Sequence, residues 1–248
     1  HISDWNTSAV TDMSNAFKDR TSFNEDIGDW DVSNVTTFFH LFTNAISFNQ
    51  DLSDWNTSSL VNMSRCFDGA SSFNSDLSKW DISNVNMMTA AFRNATSFNQ
   101  NINSWDVSNV LNIENLFYGA SVFNQPIGDW NTSSVTNMIS VFNNASAFNQ
   151  PIGNWDTSSV TKMNRMFRDA SDFNQDISDW NISSANNMTI MFDGANNLSN
   201  RNKSKIHSSF SSNSNWSYDW SNFAPEDLQA VTNLEIVENK PAGSFVGE

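Results

Sequence analysis

The 248-residue sequence is poor in residues on which several protein classes depend. A single cysteine excludes an internal disulfide framework and leaves the redox compartment of the protein open. There are only 12 Lys and Arg against 27 Asp and Glu, and the formal charge of −15 argues against a nucleic-acid partner because phosphate binding requires a basic surface. No apolar run approaches the ~18 residues of a membrane helix. The composition therefore predicts neither nucleic-acid binding nor membrane insertion by this stretch of chain.

Residue types that carry catalysis are also scarce. The three histidines lie far apart, at His1, His40 and His207. The sequence contains no metal-ligand cluster, nucleophile elbow or phosphate loop. Cys66 falls at a position where the neighbouring repeats carry leucine and alanine, so we interpret it as a small buried apolar residue. We therefore expect no enzymatic activity and no catalytic residues.

The sequence contains instead a 25-residue unit that occurs eight times without a register slip. Residues that recur at intervals of 25 form a column, which we name after its first member. A fixed period of about 20 to 50 residues is typical of solenoids and arrays, in which each unit stacks its apolar side on its neighbours. The tryptophans that we predict to be structural core residues are Trp30, Trp55, Trp80, Trp105, Trp130 and Trp155.

The apolar spacing within one unit predicts a strand followed by a helix. Ile27, Trp30 and Val32 fit a short strand with the last two residues inward. The apolar residues from Val35 to Ala45 are spaced by three, four and three, which predicts a helix of about three turns after Ser33 as N-cap. A strand, a helix and a return to the next parallel strand form a right-handed crossover. We therefore expect an α/β repeat fold, a right-handed LRR-like β/α solenoid of eight coils with a parallel sheet on one side and short helices on the other.

An asparagine recurs after the second phenylalanine of the unit. Amides stacked from coil to coil can satisfy backbone groups at bends that neither strand nor helix serves. Alternatively, these are surface asparagines selected for binding. The residues of the predicted amide ladder are Asn49, Asn74, Asn99, Asn124 and Asn149.

Two columns of the predicted strand, those of Asp4 and Asn6, should face solvent and form an acidic surface. This surface either keeps the protein soluble or binds a cationic partner or Ca²⁺. The densest group, Asp29, Asp31 and Asp54, is the candidate calcium site, and no other cofactor is expected. The candidate binding residues are Asp4, Asp29, Asp31, Asp54, Asp81, Asp106, Asp129, Asp156 and Asp179.

The repeated motifs W-D-x-S-N-V-T-x-M, M-F-x-x-A and F-N-Q-x-I cover residues 1 to about 199. In these motifs the chain resembles the BspA-like leucine-rich-repeat surface proteins, especially the 25-residue branch that is also found in mycoplasma lipoproteins. The resemblance implies an extracellular or cell-surface protein of bacterial type that mediates adhesion or partner binding. It brings no catalytic residues with it.

Repetition fades near the C-terminus, so we predict three parts: the solenoid at 1–199, a cap at 200–224, and a tail at 225–248. The cap combines one more amphipathic helix, ending at Phe210, with an aromatic segment that covers the last coil or, alternatively, forms a sugar-binding platform. From Asn233 onward the tail resembles the truncated first strand of a cadherin-like domain. We therefore expect the chain to be a fragment of a larger surface protein. The aromatic segment contains Trp216, Tyr218, Trp220 and Phe223.

Two functions remain open from the sequence. The first is a non-catalytic extracellular scaffold for adhesion, which binds a protein or glycan partner at a cell surface. The second is a structural spacer or stalk that presents another adhesive module, with calcium as an optional stabiliser. A binding face should carry different residues from coil to coil, whereas a spacer should keep its exposed positions uniform.

Overall fold

A computed structural model describes residues 1–223 of the chain. Its helical elements are a short 3-10 helix at Ile2–Asp4 and an α-helix, α1, at Asn200–Phe210. Between them the chain consists of turns and extended segments, arranged in 25-residue coils. Successive coils meet in parallel through single-residue bridges of the Asp12 column, from Asp12–Thr37 to Lys162–Asn187. Each coil therefore lies against the next in the same orientation and register.

The predicted β/α solenoid with a parallel sheet and repeat helices is wrong. Within the described chain, residues 5–199 form neither a helix nor a strand longer than the isolated bridges. The helix predicted after Ser33 fails because the backbone turns left-handed twice in each coil. In the first coil these residues are Asn15, with φ of 62°, and Asp19, with φ of 60°, and every later coil repeats both positions. A right-handed helix requires φ near −63° at every residue.

The segment that replaces the helix alternates two kinds of hydrogen bond. The N–H groups of Met13 and Phe17 donate to the carbonyls of Thr37 and Leu41 in the next coil, at 3.1 and 2.9 Å. Between them, the Ala16 N–H donates to the Met13 carbonyl at 3.2 Å and closes a turn within its own coil. The left-handed residues make this alternation possible. The apolar spacing of three and four therefore marks the inward positions of a turn segment and not one face of a helix.

The segment predicted as a strand has the expected alternation without the expected ladder. Trp30 and Val32 are buried, whereas the flanking aspartates are exposed. Side chains take the place of main-chain pairing here: the Trp55 indole N–H donates to the Ile27 carbonyl at 3.0 Å. Likewise, the Thr57 hydroxyl donates to a main-chain carbonyl of the following coil at 3.0 Å. Because side chains satisfy these carbonyls, the coils stack here without a β-ladder.

Stacked aromatic rings form the core. Phe42 stacks on Phe48 of its own coil at 4.0 Å between ring centroids and on Phe67 of the next coil at 5.5 Å. The tryptophan column stacks in the same way, with 6.1 Å and 8° between Trp55 and Trp80. Except at the first coil, where Trp5 is 62% exposed, every tryptophan of this column is buried. One continuous apolar core thus runs through the coils, as the repeat requires.

The amide ladder runs along the edge of this core. The Asn74 N–H donates to Asn49 Oδ1 at 2.8 Å, and the Asn99 N–H donates to Asn74 Oδ1 at 2.9 Å. Gln100 Nε2 donates to the Asn74 carbonyl at 2.9 Å. The same bonds recur up to Ser199, whose N–H donates to Asn174 Oδ1. The asparagines therefore satisfy backbone groups at the bend of each following coil.

Helix α1 covers the end of the last coil. Ser199 is its N-cap and accepts a hydrogen bond from the Asn202 N–H, while Ile206 and Phe210 are buried against the core. The helix predicted at this place is therefore present. A terminal coil needs such a cover because its apolar side has no following coil.

The aromatic segment after α1 also packs on the last coil. Trp216, Tyr218 and Trp220 are half-buried, and each ring lies within 6.2 Å of the Phe192 ring. The Tyr218 hydroxyl accepts a hydrogen bond from the Phe192 N–H at 2.8 Å and donates to Asp193 Oδ1 at 2.7 Å. This hydroxyl supplies an acceptor that a following coil would otherwise provide. The predicted cadherin-like strand and the tail at 225–248 lie outside the described residues.

A substitution at Gly119 can test whether the backbone is left-handed at this position. Its φ is +68°, and a Cβ added there would overlap the Oδ1 of Asn94 in the preceding coil. We expect Gly119→Ala to lower the free energy of unfolding by about 1–2 kcal/mol, because a left-handed alanine is strained. Asn94→Gly, in the same column, is the control and should change stability by only a few tenths of a kcal/mol. Equal denaturant midpoints for Gly119→Ala and the wild type would contradict the left-handed turn.

Candidate functional site

The acidic face comprises the Asp4 and Asn6 columns. All of their positions are exposed, including the nine aspartates that the sequence indicated as candidate binding residues. The two columns vary little, and their one base, Lys79, forms an exposed ion pair of 2.8 Å with Asp54. An exposed pair of this kind contributes little to stability. The structure thus brings the predicted acidic residues onto one surface. Their positions are Asp4, Asp29, Asp31, Asp54, Asp81, Asp106, Asp129, Asp156 and Asp179.

One of the two acidic columns, the Asn6 column, forms side-chain hydrogen bonds within turns. Asp31 Oδ1 accepts hydrogen bonds from the Ser33 N–H at 3.0 Å and from the Ser33 hydroxyl at 2.6 Å. Asn131 makes the same two bonds with Ser133. Since either an amide or a carboxylate oxygen can accept these bonds, Asp and Asn interchange freely in this column. The Asn6 column therefore has a structural role that needs no ligand.

The hydrogen-bonded turns make the free energy of unfolding depend on pH in the acidic range. Hydrogen bonds from the serine two residues later lower the pKa of Asp31, Asp81, Asp106 and Asp156, and the serine hydroxyl has a larger effect than the serine N–H. A carboxyl whose pKa is lower in the folded state stabilises the fold above its unfolded pKa of about 3.9 and loses that contribution as the pH falls. We expect the unfolding midpoint in urea to decrease below about pH 4. Replacing the four aspartates with asparagine should flatten this dependence, and an unchanged acid profile would contradict the assignment.

The calcium candidate is only partly assembled. Asp29 and Asp54 line a cavity of about 200 Å³ together with Asp26 and Asp51, but Asp31 does not line it. Asp26 and Asp51 each accept a hydrogen bond from a nearby backbone N–H. Within residues 1–223, no group of three or more His, Cys, Asp or Glu is placed so that it could hold a metal ion. The geometry therefore gives the predicted Asp29, Asp31 and Asp54 site no support.

A second surface differs from coil to coil. It consists of the Thr11, Asp12, Ser14, Asn15 and Lys18 columns, and we call it the variable face. These columns belong to the bridge and to the turn segment, where a helix was predicted. Most of their side chains are at least partly exposed, and the buried members are Thr43, Ser64, Asp68, Ala90, Ser140 and Asn143. The Ser14 column reads Ser14, Phe39, Ser64, Thr89, Glu114, Ile139, Asn164 and Thr189, and the Lys18 column reads Lys18, Thr43, Asp68, Arg93, Tyr118, Asn143, Arg168 and Asp193.

The variable face also concentrates positive charge and exposed apolar side chains. Phe39, Met87 and Leu111 are among the large apolar residues with the greatest exposure, at 38%, 48% and 52%. Aromatic residues, Met and Arg are enriched in protein–protein interfaces, whereas Lys and Asp are depleted at their centres. The composition of this face therefore fits an interface better than that of the acidic face. Its basic residues are Lys18, His40, Arg65, Arg93, Lys162, Arg165 and Arg168.

Sequence reasoning missed this surface. It interpreted the turn segment as a helix and predicted the binding residues on the acidic columns instead. The available signal was the column-by-column variability itself, because the Ser14 column changes chemistry in nearly every coil while the Asp4 column stays mostly acidic.

The coils and their repeating core define a repeat protein. The chain belongs to the family described as "Mycoplasma protein of unknown function, DUF285", whose model matches residues 1–105 and 86–205. The two overlapping matches agree with the repetition in the sequence. No curated protein matches the chain. Within residues 1–223, no helix has both the length and the apolar character needed to span a bilayer.

Proposed function

We propose that the chain is a non-catalytic repeat scaffold that binds a protein partner through the variable face. The observation that carries this proposal is the change of residue from coil to coil on that face against the near uniformity of the acidic face. A core of repeated apolar columns fixes the coils, so substitutions at outward positions alter recognition with little cost in stability. The resemblance to BspA-like surface proteins supports an extracellular setting and a role in adhesion.

The proposal assigns different roles to the two faces. The acidic face keeps the protein soluble and, through its hydrogen-bonded turns, holds each coil in shape. The variable face supplies apolar and guanidinium groups that a partner can bury. A spacer, which the sequence left as the alternative, would not need such variation.

The test uses a phage-displayed library of random 12-residue peptides selected against the wild-type protein. Peptides that enrich are then measured against a variant with Phe39→Ser, Glu114→Ser and Ile139→Ser. These substitutions copy Ser14 and Ser64 of the same column, so the variant should keep the wild-type melting temperature. We expect the affinity of most peptides to fall at least tenfold, which corresponds to about 1.4 kcal/mol.

The control variant changes the acidic face instead. It carries Lys79→Asp, Ser104→Asp and Asn154→Asp, which place an aspartate at that column in all eight coils. Peptide affinity should remain within twofold of the wild type. A library that yields no enriched peptide would favour the spacer, and peptides lost only in the control would place binding on the acidic face.

A further inference from the structure

Two arginines of the variable face share one buried carboxylate. The Asp68 side chain is 3% exposed, and its Oδ1 accepts a hydrogen bond of 2.8 Å from Arg93 Nε in the next coil. Arg65 Nη1 lies 3.7 Å from Asp68 Oδ2, which is within ion-pair range but too long for a hydrogen bond. One carboxylate thus anchors guanidinium groups from two neighbouring coils.

This anchoring leaves donors free at the surface. The Arg93 and Arg65 side chains are 36% and 41% exposed, so both remain partly accessible to solvent. A guanidinium presents five N–H donors in a rigid fork that matches an oxyanion. Because the buried carboxylate already restricts both side chains, a ligand has less rotational freedom to remove from them on binding.

The charge at this place is positive although the protein as a whole is acidic. Two guanidinium groups outnumber the single buried carboxylate. Their field reaches His40 in the preceding coil: burial, and then the charges of Arg65 and Lys18, lower the pKa of its imidazole despite the opposing effect of Asp68. An anionic group is therefore attracted to this part of the variable face.

Exposed apolar side chains lie on the same face in the same part of the stack. The Phe39 ring packs edge-on against the His40 ring at 4.3 Å between centroids and stays 38% exposed. Met87, of the same coil as Arg93, is 48% exposed. Arginine together with aromatic and methionine side chains is typical of the residues that dominate binding energy in protein interfaces.

We infer that Arg65 and Arg93, held by Asp68, are the anchor of the variable face and bind an Asp or Glu carboxylate that stands beside an apolar side chain of a protein partner. The inference rests on the proposed function and names the chemistry of the partner. A protein segment fits better than a sulfated sugar, because its apolar side chains can remove the exposed surface of Phe39 and Met87 from water.

The test uses the enriched 12-residue peptides together with column-matched variants. Arg65→Asn copies Asn115 of the same column, where both arginine and asparagine occur with a left-handed backbone. Its control is Arg165→Asn, which makes the same change of charge in the same column four coils away. We expect the enriched peptides to contain Asp or Glu next to an apolar residue. We also expect Arg65→Asn to weaken their binding at least tenfold, and Arg165→Asn less than twofold.

Two double variants extend the test, and their melting temperatures show whether each remains folded. Arg65→Asn/Arg93→Asn should abolish binding, whereas Arg165→Asn/Arg168→Asn should not. If Arg65→Asn/Arg93→Asn unfolds, the binding result for the single variant Arg65→Asn tests the inference. That variant should remain folded because Arg93 still pairs with Asp68. Equal loss in the Arg65 and Arg165 variants would reduce the effect to net charge and overturn the inference.

Two further outcomes distinguish failure of the arginine anchor alone from failure of both proposals. Peptides that depend on Phe39, Glu114 and Ile139 but not on Arg65 would leave the variable face as the binding surface and refute the arginine anchor. A heparin-derived hexasaccharide that binds where no peptide does would refute a protein partner, and with it both proposals.

Discussion

Trp105→Ala is expected to lower the free energy of unfolding by about 3–5 kcal/mol, as for other buried aromatic residues. Trp105 is 3% exposed in the middle of the stack, and its indole N–H donates to the Leu77 carbonyl at 2.9 Å. Alanine would leave a cavity in the aromatic core and a buried carbonyl without its donor. Denaturant unfolding, followed by the remaining tryptophan fluorescence, gives the difference.

The matched control is the first member of the same column. Trp5 is 62% exposed, although its ring still stacks on Trp30 at 6.1 Å. Trp5→Ala should therefore cost less than about 1 kcal/mol, as expected for a largely exposed side chain. If both variants lost the same stability, the aromatic column would not act as a stack of buried rings.

Phe210→Asp should detach the C-terminal cap. Phe210, the last residue of helix α1, is fully buried, and its ring lies edge-on to the Trp216 ring at 5.3 Å between centroids. A carboxylate there would be buried without a partner, at a cost of several kcal/mol. The last coil would then expose Phe192 and Leu198, both buried in the native protein. We expect soluble aggregates in size-exclusion chromatography.

Ser209→Asp provides the control for this change. Ser209 is exposed on the same helix, so the same charge there should leave a monomeric protein with nearly unchanged stability. A monomeric Phe210→Asp protein with wild-type stability would contradict the role of α1 as a cover for the core.

The sequence was sufficient for features that depend on periodicity. Eight copies in one register predict stacked coils, and the inward tryptophan and phenylalanine columns follow from their unbroken apolar character. The asparagine recurring at one bend likewise indicated an amide ladder, since a side chain that repeats in every coil can bond to its copy.

The secondary structure could not be read in the same way. Apolar residues spaced three and four positions apart fit one face of a helix. They fit the alternating turn segment equally well, because both structures return a side chain to the core every three or four residues. The left-handed positions gave a weak signal, since the Asn15 column holds His40, Arg65 and Ile190 as well as asparagine. Only the Asp19 column, restricted to Asp, Asn and Gly, indicated a left-handed backbone.

The candidate binding surface was predicted on the acidic face, and not on the variable face, for the same reason. The acidic columns stood out by their composition, but hydrogen bonds to serine show that one of them forms turns. The variable face depends on which residues the turn segment directs outward, and that cannot be known while the segment is taken for a helix. The pairing of Arg65 and Arg93 through Asp68 links two coils, so no pattern within a single repeat reveals it.

The backbone of residues 111–120 offers the most direct test of the central claim, that turn segments with left-handed residues form the variable face. NMR backbone chemical shifts of the folded protein report φ residue by residue across this segment. The account predicts positive φ at Asn115 and Gly119, with φ of 56° and 68°, and negative φ between them. Continuous helical shifts from Asn112 to Gly119 would contradict it and would restore the helix that the apolar spacing predicts.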